Sequence, residues 1–353
     1  MIDLFEQGIR HQDLFLWDAW SVQKDGVINL FTLSIPRADE KQRPISPDDR
    51  NSHQFSIFRF ESIDKGITWK AKGSHRRPNP SCLYQSGNVW SGSVGYIDET
   101  LIETFTGIKA NSGERPYIQS LFIAELDVEF GSKTPKCLVS SERDYDQILD
   151  AGYFLQSKQQ LGSVEGEADG CITAWRDPFV FSVDDQTLIA FAAKSADAAP
   201  AIGLLHVMGE ISDPRPQLLP PVTLPDTRDF TQVEVPKIVF IHALDAYVML
   251  CSTTERQSEC QPGSQIDSRL RLYFAQSVQG PWKSAGTRTS IIDGVEGLFG
   301  ATILEVDEVA NRLICIAPYT SCASEELSLS FAPRFFIDLA DVGGKQQIHA
   351  YFD

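Results

Sequence analysis

The apolar residues of this chain come in short β-branched or aromatic runs, each ended by turn formers, and that punctuation restricts the chain to folds built from strands. Runs over Gly26–Ile35, Gln54–Phe60, Leu101–Ile108, Leu121–Phe130, Leu188–Ala193, Tyr247–Cys251, Arg271–Ala275 and Leu313–Pro318 all have this form. A helical period appears over Asp144–Leu155, where Tyr145, Ile148, Leu149 and Gly152 keep spacings of three and four, and it is short enough to sit on a connection. Polar, proline-rich stretches at Pro36–Ser52, Arg76–Ser81, Asp213–Arg228 and Glu255–Ser268 read as loops, none long enough for a domain linker. The expected class is all-β. A length of 353 residues with 42% hydrophobic content fits one domain over residues 1–353.

No strict repeat is present, yet Trp17, Trp90, Asp177, Glu234 and Phe299 mark segments at a coarse interval. Units of about 70 residues, five of them, fill the chain, and each can hold a four-stranded blade. The spacing predicts a five-bladed β-propeller whose motifs open the innermost strands and converge on one end of a central funnel.

The formal net charge of −17 argues against a nucleic-acid groove or an anionic membrane surface, both of which need clustered Lys and Arg. No stretch reaches the roughly 18 apolar residues of a membrane helix. Met1 to Trp20 lacks a basic region followed by an apolar run, so the expectation is a cytoplasmic protein, or one exported without a recognisable signal peptide. Seven cysteines (Cys82, Cys137, Cys171, Cys251, Cys260, Cys315 and Cys322) are odd in number and form no CxxC pair, which fits reduced thiols; Cys251/Cys260 and Cys315/Cys322 remain candidate pairs in an exported protein. The histidines fall singly, with no metal-ligand spacing, and neither a metal nor another cofactor is expected.

Three acidic motifs stand out: Leu16-Trp17-Asp18-Ala19-Trp20, Trp175-Arg176-Asp177-Pro178 and Val233-Glu234-Val235-Pro236-Lys237. Glycosidic cleavage needs one carboxylate to attack or guide water, one acid to protonate the leaving oxygen, and aromatic surface for the sugar. Asp18, flanked by Trp17 and Trp20 as walls, is the candidate nucleophile. Asp177, held ionised by the neighbouring Arg176, is the candidate transition-state stabiliser. Glu234, among apolar neighbours that favour the protonated form, is the candidate general acid. Val89-Trp90-Ser91-Gly92-Ser93 adds a further aromatic, a hydroxyl and a flexible backbone. Each motif alone also reads as a turn opener or a strand end; their order and spacing favour the chemical reading.

These residues resemble the levansucrase-type enzymes, glycoside hydrolase family sixty-eight, five-bladed propellers that act on sucrose. Phe15 through Gln23 resembles the family's Trp-Asp-Ser-Trp-Pro nucleophile motif, and Trp90-Ser91-Gly92-Ser93 its Glu-Trp-Ser-Gly-Ser motif. Asp144 through Tyr153 with Arg176-Asp177-Pro178, then Gly280-Pro281-Trp282 and Phe331-Ala332-Pro333, are similar to further landmarks, so the resemblance runs over most of the chain. It implies Asp18 as nucleophile, Asp177 as stabiliser and Glu234 as acid/base. It also implies a fructosyl subsite lined by Trp17, Trp90, Ser91 and Arg176, with Gln232 fitting one branch of the family and Arg256 serving the leaving-group subsite. The implied reaction is retaining, for which the Asp18 and Glu234 carboxyls should stand roughly 5–5.5 Å apart.

The chain departs from the family pattern where leaving group and acceptor are chosen. Val235 replaces the arginine of the family's Glu-Arg-Pro, and Asn88 or Val89 stands in place of the glutamate before Trp90. Thr231 and Cys171 stand near positions where calcium-binding members carry acids, so no structural calcium is expected. The leading reading is a retaining β-fructofuranoside-processing enzyme that cleaves sucrose and passes fructose to water or a sugar acceptor, tilted toward hydrolysis by the absent secretion signal. An inverting furanosidase acting on arabinofuranosides, and a carbohydrate-binding propeller with a disabled site, stay open as alternatives. Product size and oligomeric state are not set by the sequence.

Overall fold

A computed structural model describes residues 4–110, 116–164, 172–258, 261–262, 265–320, 326–344 and 346–352. Its strands pair into five antiparallel sheets. The first blade holds β1 (Leu4–Glu6), β2 (Leu14–Lys24), β3 (Val27–Pro36), β4 (Ser56–Ser62) and β5 (Thr68–Arg76), with β1 paired outside β5. The second holds β6 (Asn88–Ile97), β7 (Thr100–Lys109), β8 (Ile118–Glu125) and β9 (Lys136–Ser140). After helix α1 (Tyr145–Asp150) the third holds β10 (Arg176–Val183), β11 (Gln186–Lys194), β12 (Pro200–Met208) and β13 (Arg215–Thr223). The fourth holds β14 (Gln232–Ile241), β15 (Ala246–Thr254), β16 (Ser268–Ala275) and β17 (Lys283–Ser284); the fifth holds β18 (Thr302–Asp307), β19 (Arg312–Ile316), β20 (Phe335–Asp338) and β21 (Ala350–Phe352). The first strand after each blade-to-blade connection, β2, β6, β10, β14 and β18, lies innermost, and these five touch in a ring. The fold is the expected five-bladed propeller.

Strand alternation explains why the sequence packs this way. In β7, Leu101 and Phe105 join the core between blades one and two, while Ile102 faces the core between blades two and three. In β11, Ile189 and Phe191 face blade two, and Leu188 and Ala190 face blade four. Buried on both faces, such strands read as near-continuous apolar runs. Two further cores lie between blades four and five and between blades five and one. The ring is closed by main-chain bonds, Phe331 N to Ile9 O at 2.9 Å, Leu16 N to Leu329 O at 2.8 Å and Ala19 N to Gly300 O at 2.8 Å. Closure removes the inner sheet edges that an open array would expose.

Three expectations need correction. Asp213–Arg228, read as a loop, contains β13; Pro216, Pro220 and Pro221 are accommodated because this strand pairs only with β12, so its outer side needs no ladder donors. The run read through Phe130 ends at Glu125, where the Asp127 carboxylate takes over the Glu129 and Gly131 N–H groups at 2.8 and 2.7 Å. The helical stretch forms only over Tyr145–Asp150. It stops because Gly152 turns left-handed (φ 89°) and Tyr153 N bonds back to Ile148 O, a glycine C-terminal cap. Among the described residues no helix is long and apolar enough to cross a membrane.

Candidate active site

Each inner strand breaks register with its neighbour, and four of these breaks fall in the sequence motifs. Pairing of β2 with β3 slips between Trp17 and Ala19, of β6 with β7 between Trp90 and Gly92, of β10 with β11 between Arg176 and Phe179, and of β14 with β15 between Glu234 and Lys237. A bulge re-aims side chains that regular alternation would send into the inter-blade cores. Asp18 (φ 49°), Asp177 (φ 60°) and Val235 (φ 46°) adopt left-handed backbone there, each costing on the order of 1–3 kcal/mol. Two glycines make room: a Cβ on Gly92 would lie 1.9 Å from Thr104 O, and one on Gly300 would lie 2.5 Å from Asp18 Oδ1.

Hydroxyls on the second strands stitch the bulges together. Thr106 Oγ1 donates to Ser91 O at 3.0 Å and accepts from Asp177 N at 2.8 Å, joining blades two and three. Ser252 Oγ accepts from Gly300 N at 2.8 Å, and Gly300 in turn accepts from Ala19. Asp18, Asp177 and Glu234 thereby arrive from three blades on one open-mouthed pocket.

Asp18 is buried and accepts from Ser91 Oγ at 2.5 Å. Burial pushes its carboxyl up to about 6 against the pull of Ser91, Lys237 and Arg50, with the Glu234 charge adding to the rise. Burial likewise raises Asp177, although Arg176 and the Val235 N–H, 3.2 Å from Oδ2, draw it down. This corrects the expectation that Arg176 holds Asp177 ionised: the Arg176 Nε stands 3.9 Å from Asp177, while its Nη2 donates to Glu234 Oε1 at 3.1 Å. The guanidinium is spread over two carboxyls, and burial outweighs its share on Asp177.

Trp17 and Trp90 line the pocket with Phe55 between them, the Trp17 ring edge-on to Phe55 at 4.7 Å and Phe55 stacked on Trp90 at 6.2 Å. Trp20, expected as a second wall, instead stacks on Phe31 in the core between blades one and two: the slip at Asp18 puts it on the same face as Trp17, but further along the strand, where it does not line the pocket. Ser91, Arg176 and Arg256 line the pocket. Gln232 is fully buried behind the wall, its Oε1 3.5 Å from Arg176 Nη2, so it backs the guanidinium rather than facing the pocket.

Several residues on the pocket wall have no motif to announce them. Arg50 and Asn51 arrive on a short 3-10 helix, Pro47–Ser52, inside the stretch read as loop. The Ser46-Pro47-Asp48 start is a legible helix N-terminus, with Ser46 capping Asp48 N, but nothing in it marks Arg50 as turned inward. Phe55 is fixed by Asn88, whose Oδ1 accepts from Phe55 N at 2.7 Å and whose Nδ2 donates to His53 O at 3.0 Å. Lys237 is buried close behind the acids, its Nζ donating to Val235 O at 3.2 Å, and burial brings its ammonium down to about 8. Thr231 uses its hydroxyl on Arg256 O at 2.6 Å. Cys171, Cys260 and Cys322 lie outside the described residues; Cys82, Cys137, Cys251 and Cys315 are free thiols.

Neither a protein-family model nor a curated protein sequence matches the chain. Solved structures do. Bacillus subtilis levansucrase superposes with a TM-score of 0.66 at 16% identity, covering 98% of this chain and 88% of that one. A doubly substituted form of that enzyme in complex with oligosaccharides gives 0.65 at 15%, with 98% and 88% covered. A variant of the B. megaterium levansucrase gives 0.65 at 15%, with 99% and 88% covered. At this identity the likeness is one of fold, and it extends over nearly the whole chain.

Proposed function

We propose that the protein is a fructosyl-transferring glycosidase that cleaves sucrose with retention, releasing fructose to water or to a sugar acceptor. The observation that carries this reading is the meeting of Asp18, Asp177 and Glu234, from three separate blades, in one aromatic-walled pocket. In the proposed reaction Asp18 attacks the anomeric carbon of the fructosyl unit while Glu234 gives its proton to the bridging oxygen, and glucose departs. Glu234 then takes a proton from water or an acceptor hydroxyl, which attacks the same carbon and frees Asp18.

The surrounding residues support this division of labour. The short bond from Ser91 fixes the Asp18 carboxylate and lowers its basicity, leaving the other oxygen for attack. Arg176 orients Glu234 and supplies a guanidinium beside the acid/base although position 235 is valine. That contact weakens the case for a disabled binding propeller. In its ionised form, which Arg176 and the Val235 N–H favour against burial, Asp177 would accept hydrogen bonds from sugar hydroxyls that strengthen as positive charge develops on the ring. Trp17 and Trp90 offer apolar faces for its carbons.

The test is product analysis on sucrose with an Asp18→Ala control. Equal glucose and fructose identifies a hydrolase, and glucose in excess identifies transfer. No release above the control removes sucrose as the substrate and shifts weight to another furanoside.

A further inference from the structure

Val235 stands apart among the left-handed residues of this fold. Aspartate and asparagine, whose short polar side chains suit that conformation, predominate among the described non-glycine residues with positive φ, and Val235 (φ 46°) is the β-branched exception. With Pro236 it makes the bulge of β14: Glu234 pairs with Ser252 and Lys237 with Leu250, so both bulge residues face Cys251 alone. A left-handed bulge residue is ordinarily glycine, and Pro236 has no N–H to give to the ladder. Both main-chain polar atoms of Val235 are held instead by ionisable side chains. Its N–H donates to Asp177 Oδ2 at 3.2 Å, and its carbonyl accepts from Lys237 Nζ, also at 3.2 Å. Lys237 is 3% exposed, lies behind the pocket wall, and carries its ammonium 5.7 Å from the centre of the Phe179 ring on β10.

We propose that Lys237 is a positioning residue: with Asp177 it clamps Val235 in the left-handed conformation, and the clamped backbone aims Glu234 into the pocket at a fixed place relative to Asp177. Its effect on turnover rests on the fructosyl reading, whereas the clamp itself is read from stability.

The N–H held by Asp177 belongs to the peptide unit joining Glu234 to Val235, so that bond fixes the plane from which Glu234 departs. The Val235 carbonyl belongs to the next unit, so Lys237 fixes the rotation on the other side of the same Cα. Losing either hold frees a torsion that sterics drive toward the extended region. The two left-handed aspartates of the site are held by neutral groups: Asp177 N donates to the Thr106 hydroxyl, and Ala19 N, next to Asp18, to Gly300 O. Two other roles for Lys237 compete. If it only fills space beside Phe179, Lys237→Met, similar in length and with no charge to desolvate, leaves the rate unchanged. If it acts only through its charge, which Asp177 and Asp18 both feel, its loss costs the same whatever residue stands at 235.

The experiment is a double-mutant cycle of Lys237→Met and Val235→Gly, because glycine adopts positive φ without strain and does not need the clamp. Melting is followed at neutral pH without substrate. Lys237→Met should lower the melting temperature of the wild type by more than it lowers that of Val235→Gly. On sucrose, Lys237→Met should reduce kcat by about a hundredfold with KM little changed, the size expected of a displaced catalytic group. In the Val235→Gly background, measured against that variant's own rate, the loss should be under about tenfold. Equal melting losses in the two backgrounds overturn the clamp, as do equal rate losses. A loss confined to KM, or an unchanged kcat in Lys237→Met, overturns the positioning role. Unequal melting losses with no turnover of sucrose by the wild type support the clamp and sink the fructosyl reading. If Lys237→Met folds in neither background, the same cycle with Lys237→Gln decides between the same outcomes.

Discussion

Asp18→Asn should stabilise this protein at neutral pH while abolishing its turnover. Burial raises the folded Asp18 carboxyl from an ordinary 3.8 to about 6, so the native state binds a proton more readily than the unfolded chain does. Where folded protein holds more protons, stability falls as pH rises, and here it falls through the window from about 4 to about 6. Above that window the ionised Asp18 costs the fold about 3 kcal/mol, from roughly two pKa units at 1.36 kcal/mol each. Asparagine keeps the volume and an acceptor for Ser91 Oγ but never carries the charge, so it escapes that cost. With an unfolding entropy of about 2.1 cal/mol/K per residue, a chain of this length gains about 4 °C. Scanning calorimetry of both proteins at pH 7.5 and pH 4 is the assay. The gain should be present at the higher pH and shrink to well under 1 kcal/mol at the lower one. A lower melting temperature for Asp18→Asn at pH 7.5, or an equal gain at both pH values, would refute the reasoning, because either result means the carboxylate is not a desolvated charge.

The same raised carboxyl predicts that kcat/KM on the substrate drops about tenfold per pH unit below about 6, as the proposed nucleophile loses its charge. Lys237→Met should move that limb to higher pH, since the Lys237 charge lowers Asp18; an unmoved limb in the pH–rate profile would show that its field does not reach the site. Gly300→Ala places a methyl group 2.5 Å from Asp18 Oδ1 and 2.7 Å from Asp18 Cα, so turnover should fall by about a hundredfold or more; retained activity would mean the contact between blades five and one is looser than described. Away from the site, burial pushes Glu103 up, but Arg76 and His75 outweigh it and hold the carboxyl down to about 2. That contribution is present above about 4.5 and lost as pH falls through about 2, so Glu103→Gln should lower the melting temperature at pH 7 by several degrees and the difference should close toward pH 2.

The chemical inventory was legible because acids beside tryptophan or arginine interrupt otherwise apolar inner strands, at intervals that match blades. Asp18 and Asp177 could be picked out for that reason, Glu234 as an acid set between valines before a proline, and Trp90 with Ser91 as an aromatic and a hydroxyl at the same interval. Direction was not legible. Trp17 and Trp20 look equivalent in the sequence, and the slip at Asp18 puts both on the face toward blade two, yet only Trp17 lies near enough to the funnel mouth to line the pocket. Gln232 sits in the motif but behind the wall, while Arg50 sits in a polar run yet faces the pocket, since a long-range approach between blades one and four decides its surroundings. The prolines of β13 read as breakers because the sequence does not reveal that this strand has a single partner.

The placement of the acids follows from a defect that the blades share. All five inner strands slip against their neighbours, including β18 between Ile303 and Glu305. In blade five the residue at the slip is Leu304, which packs into the core shared with blade one and contributes no chemistry. In blade two it is Ser91, which serves Asp18; in blades one and three it is the aspartate itself. Repetition of the blade therefore supplies several equivalent outlets toward the funnel, and side-chain identity decides which are used. The strain and the buried charge act in the same direction: left-handed backbone at Asp18 and Asp177 and a dehydrated carboxyl on each all oppose folding, and the five inter-blade cores offset them. Two carboxyls held in one cleft under both penalties fit the pattern of a functional site, and they are the acids that the proposed reaction uses.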